Sequence, residues 1–63
     1  MKDFDKVVEW MMQGGESQKD AQALTKLLVN DKTGFEVALE MIDSGREYDD
    51  TAMYVLLQVV NTD

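Results

Sequence analysis

The chain has 63 residues, a formal net charge of −7, and neither cysteine nor histidine. Disulfides, zinc sites built from Cys and His, and Cys- or His-based nucleophilic catalysis are therefore excluded. The acidic balance disfavours direct contact with nucleic acid or an anionic membrane, since both need clustered Lys and Arg, and it favours basic partners.

The first periodic segment runs from Asp3 to Met12. Phe4, Val7, Val8, Met11 and Met12 follow the i, i+3, i+4, i+7, i+8 spacing of an amphipathic helix. Trp10 falls outside that stripe, between a core-edge position and a partner contact. Gly14 and Gly15 end the segment. Ser17 opens the second, with Asp20 three residues on in a variant of the capping box. Ala21, Leu24, Leu27 and Leu28 supply its apolar face, and Asn30 and Asp31 close it.

Thr33 is expected to open the third helix, with Glu36 completing a capping box. Phe35, Ala38, Leu39 and Ile42 form one apolar face; Val37 and Met41 form a second, nearly opposite. Ser44 and Gly45 supply the stop, glycine tolerating the left-handed turn. Asp49 or Asp50 caps the fourth helix, which reaches Asn61, with Tyr48 and Met53 spaced for a hydrophobic staple. Its apolar arc is wide, from Ala52 to Val60, and predicts a helix that is central or at an interface. The fold class expected is all-α, a small bundle of four short helices joined by tight loops.

A single acidic domain over residues 1–63 is implied. At this length only about 60% of the unfolded surface is buried, and a core alone rarely supplies more than ~3–5 kcal/mol. A partner or a second copy is an expected source of stability. No apolar stretch approaches the ~20 residues of a membrane span. Residues 1–8 carry charges where a signal peptide would need an apolar run. A cytoplasmic protein is expected, and the absence of cysteine fits a reducing compartment.

Little in the chain suggests catalysis. Ser17 and Ser44 sit at helix ends, where serine serves the backbone. Paired carboxylates need a desolvating pocket to split their pKa values, for which four short helices leave little room. Asp31, Thr33 and Gly34 hint at a calcium loop. Glycine would then stand fourth rather than sixth, and Ile42 would occupy the place of the closing glutamate. No glycine pattern matches a phosphate loop. No enzyme activity, metal site or cofactor is expected.

The stretch TGFEVALEMIDSGREYDD holds six carboxylates and one base, Arg46. Glu36, Glu40 and Asp43 stand at i, i+4 and i+7, and so line one side of a helix. Glu47 would continue the row only if the helix persisted past Gly45; Asp49 and Asp50 follow. In the first segment Lys2 and Lys6 instead interleave with Asp5 and Glu9. Each like-charge pair costs about 0.2–0.5 kcal/mol, and Asp43 near a helix C-terminus adds ~0.3–1 kcal/mol.

Two readings follow. In the bland one, acidity keeps a small protein in solution. In the other, Glu36, Glu40, Asp43, Glu47, Asp49 and Asp50 form a surface for a basic protein, with Trp10 or Tyr54 as an apolar anchor. Glu36 to Glu47 spans about 16 Å of helix, where duplex DNA carries roughly nine charges. Four carboxylates mimic a duplex poorly, but docking on a basic groove needs no full mimicry.

The small size, the acidity and the lack of catalytic residues are shared with phage-encoded inhibitors such as anti-CRISPR and anti-restriction proteins. The expected function is a small inhibitor or regulator that occludes a nucleic-acid-handling surface of a larger protein. The alternative is a homodimeric adaptor joined through Met53, Leu56, Leu57 and Val60, its acidic face serving solubility alone.

Overall fold

A computed structural model describes residues 2–62, with side chains through residue 61. Four helices follow in chain order: α1 (Lys2–Gln13), α2 (Gln18–Asn30), α3 (Lys32–Asp43) and α4 (Asp50–Thr62). No strand occurs among the described residues. The all-α four-helix fold expected from periodicity is the fold observed, with a Cα radius of gyration of 10.2 Å.

α1 and α3 end in the same way. After α1, the Glu16 N–H donates to the Met11 carbonyl at 3.1 Å and the Gly15 N–H to Met12 at 3.0 Å. After α3, the Arg46 N–H donates to Met41 at 2.9 Å and the Gly45 N–H to Ile42 at 3.0 Å. Both are Schellman turns, which satisfy carbonyls that the helix itself leaves bare. Each needs a left-handed residue at its corner, and Gly15 (φ 113°) and Gly45 (φ 80°) provide it. The helix therefore stops at Asp43, and Glu47 lies outside the α3 row.

One cap differs from the sequence reading. α3 begins at Lys32, and its N-cap is Asp31, whose Oδ1 accepts the N–H groups of Thr33 at 3.1 Å and Gly34 at 3.3 Å. Thr33 is therefore inside the first turn, and Glu36 lies too far along the helix to close a box. Aspartate wins because its side chain meets two orphan N–H groups and its charge suits the positive helix end. Asp31 also donates its own N–H to Leu27, closing α2. The other starts follow expectation: Ser17 Oγ accepts from the Asp20 N–H at 3.1 Å, and Asp49 Oδ1 from the Ala52 N–H at 2.8 Å.

The buried stripes of α1 and α2 are rotated from their predicted positions. In α1, Trp10 is 8% exposed whereas Met12 is 41% exposed. In α2, Thr25 is fully buried whereas Leu27 is 42% exposed. Threonine is tolerated there because its Oγ1 donates to the Ala21 carbonyl at 2.7 Å. The core is thus formed chiefly by Val7, Met11, Ala21, Leu28, Ala38 and Leu56.

The central helix is α3, not α4: α3 packs against all three others. That position explains its two apolar faces, with Ala38 and Met41 buried and Phe35, Val37, Leu39 and Ile42 half-buried. Gly34 lets α3 approach both neighbours, since a Cβ there would lie 3.1 Å from Leu28 and 3.1 Å from Val60.

Candidate functional site

The α1–α2 loop and the α3–α4 loop meet at one end of the molecule. The Trp10 indole Nε1–H donates to the Arg46 carbonyl at 2.8 Å. The Tyr48 hydroxyl donates to Glu16 Oε2 at 2.7 Å. The two rings meet edge to face, with centroids 5.2 Å apart. Burial, the hydrogen bond to Glu16 and the charges of Glu16 and Asp50 all raise the Tyr48 pKa far above the ordinary tyrosine value. Gly14 is in direct contact with Tyr48: a Cβ would fall 2.7 Å from the ring and 2.8 Å from the Tyr48 Cβ.

Beside this junction opens a cleft of about 370 Å³ bounded by Trp10, Gln13, Ile42, Arg46, Glu47 and Tyr48. Its charged side chains are one cation, Arg46, and one carboxylate, Glu47. Periodicity gives no sign of it, because the cleft is made where two loops converge. Among the described residues, no group of three or more His, Cys, Asp or Glu side chains is placed to hold a metal ion.

The acidic row is a separate feature. Glu36, Glu40 and Asp43 are all exposed on α3. Lys6 Nζ of α1 stands 4.0 Å from Asp43 Oδ1, a long pair between two exposed side chains. Such contacts contribute little. Because Asp31 is the cap, Glu36 has no capping duty. Glu47, Asp49 and Asp50 are exposed on the far side of the Gly45 turn, and Asp49 is committed to capping α4. Residues 33–50 carry six carboxylates against one base, a net charge of −5 within a chain total of −7.

The two aromatic anchor candidates part company. Tyr54 is 64% exposed on α4. Trp10 is 8% exposed, with its Nε1–H engaged at the loop junction and its ring bounding the cleft. Of the α4 residues considered for a dimer interface, Leu56 is buried at 2% exposure and Val60 packs toward Gly34. Met53 and Leu57 remain half-buried. No helix among the described residues is long and apolar enough to cross a membrane.

No protein-family model, curated protein or solved structure matches this chain.

Proposed function

We propose that the protein is a small cytoplasmic interaction module, without enzymatic activity, whose α3 face docks on a basic surface of a larger protein and occludes it. The observation that supports this reading is the set of exposed carboxylates Glu36, Glu40 and Asp43, which the fold does not use as caps. Glu47 and Asp50 extend the charge beyond the turn, and Tyr54 is the exposed aromatic residue of the two considered as anchors. A nucleic-acid-handling enzyme is the partner class whose basic groove best complements a net charge of −5 over residues 33–50. In its sharpest form the protein is a phage inhibitor of the anti-CRISPR or anti-restriction kind.

The test is a paired capture from bacterial lysate, read by mass spectrometry. One bait is the native chain. The other carries Glu36→Gln, Glu40→Gln, Asp43→Asn and Glu47→Gln, with its helicity checked by circular dichroism. A nucleic-acid enzyme held by the first and lost by the second supports the proposal. Equal capture by both, or capture indifferent to salt, removes it, because charge-led docking weakens with ionic strength.

A further inference from the structure

α2 and α4 both pack on α3, touch each other little, and run in the same direction. Their N-terminal ends are tied by the Tyr48–Glu16 hydrogen bond, and Leu28 and Val60, near their C-terminal ends, both approach Gly34. Between them runs an apolar crevice. Leu24 and Leu27 form one wall, Met53 and Leu57 the other, and Met11 and Leu56 lie in the floor. Leu27 is among the most exposed large apolar side chains of the protein. The open volume is only about 10 Å³ and the lining is almost wholly apolar. The crevice is a shallow apolar seam. Methionine at its edge can shift to admit a side chain.

Charge selects the occupant. On α2 the wall stripe reads Asp20, Leu24, Leu27, at i, i+4 and i+7. On α4 it reads Asp50, Met53, Leu57, at i, i+3 and i+7. Each wall thus starts with an exposed aspartate at its N-terminal end. α4 contains no base. The bases of α2, Lys19 and Lys26, stand roughly 110–130° around the helix from the Leu24–Leu27 stripe at ~100° per residue. Tyr54 adjoins Asp50 and Leu57 on α4, at i+4 and i−3 respectively. A second copy would set a net charge of −7 against −7.

We propose that this seam is a docking site for a basic amphipathic helix of another protein. Its leucine-like face covers Leu24, Leu27, Met53 and Leu57. Its basic end lies over Asp20 and Asp50, and Tyr54 closes the side. This is helix-in-groove recognition with acidic steering, on a surface that shares Asp50 and Tyr54 with the proposed α3 face but none of Glu36, Glu40 and Asp43.

The probe is an amphipathic leucine–lysine peptide of about 15 residues, long enough to form a helix. A scrambled peptide of the same composition, lacking an apolar face, is the control. Binding is followed by methyl and amide NMR shifts on the whole chain. The amphipathic peptide is expected to move the signals of Leu24, Leu27, Met53 and Leu57. Leu27→Ser changes an exposed residue and should weaken binding about tenfold, as loss of an anchor does. The variant neutralised at Glu36, Glu40 and Asp43 should bind within about twofold of native, since remote exposed charges contribute little at physiological salt. Three results would overturn the proposal: equal binding of the scrambled peptide, shifts confined to α3, or a homodimer in sedimentation that Leu27→Ser dissociates.

Discussion

The loop junction and the outer face of α3 are built on opposite terms. At the junction, Trp10 and Tyr48 are buried aromatic side chains whose polar atoms have partners across the fold, in Arg46 and Glu16. On the α3 face, carboxylates stand in solvent with one ion pair at 4.0 Å. The residues that hold the chain together are therefore different from those proposed to meet a partner. The face can be rewritten at little cost in stability, whereas the junction cannot.

Changes at the junction test the first half of that contrast. Trp10→Ala removes a buried ring, its hydrogen bond and its contact with Tyr48. A loss of about 3–5 kcal/mol is expected, comparable with the ~3–5 kcal/mol a core of this size supplies. Thermal melts by circular dichroism should show a chain largely unfolded at room temperature. Gly14→Ala places a methyl group against the ring and carbonyl of Tyr48. Relief requires the two loops to separate, at about 1–3 kcal/mol by the usual cost of overpacking. A melting temperature unchanged by Gly14→Ala would show that the loops are not in close contact.

Tyr48→Phe is milder and adds a pH signature. It loses the hydrogen bond to Glu16, about 1 kcal/mol at neutral pH. Below the ordinary tyrosine value of 10.0 the hydroxyl is protonated in both folded and unfolded chains, so its contribution is complete. Above that value the unfolded chain releases the proton first, and stability falls as pH rises. Urea titrations between pH 8 and 11 should show native stability declining more steeply than that of Tyr48→Phe. Parallel profiles would mean the hydroxyl is no better held in the folded state than in water.

The smallest effect is expected on the α3 face. Neutralising Glu36, Glu40 and Asp43 relieves like-charge pairs worth about 0.2–0.5 kcal/mol each, and forfeits an exposed ion pair worth ~0–1 kcal/mol. The net change should stay within about 1 kcal/mol. A large loss by the same denaturant assay would mean that these carboxylates serve the fold, and would blur the contrast between the two regions.

The sequence by itself determined the four helices and, with one exception, where they begin and end. Helix starts and stops are local: Ser17 and Asp49 accept from N–H groups three residues on, and Gly15 and Gly45 adopt positive φ within their own turns. Such signals act over a few residues and need no partner element. The exception, Asp31 in place of Thr33, arose where one residue serves two helices. The acidic row was equally legible, because its spacing along α3 fixes a shared face.

Tertiary structure decided which side of each helix is buried and which surfaces remain. Trp10 turned inward because the Arg46 carbonyl, 36 residues away in sequence, satisfies its N–H. Thr25 replaced Leu27 in the core because its hydroxyl is satisfied within its own helix. α3 rather than α4 is the centre, packed against all three other helices, with Gly34 allowing the close approach of Leu28 and Val60. The loop cleft and the α2–α4 seam each join residues from separate helices. Periodicity orders residues within a helix, but only packing sets one helix beside another.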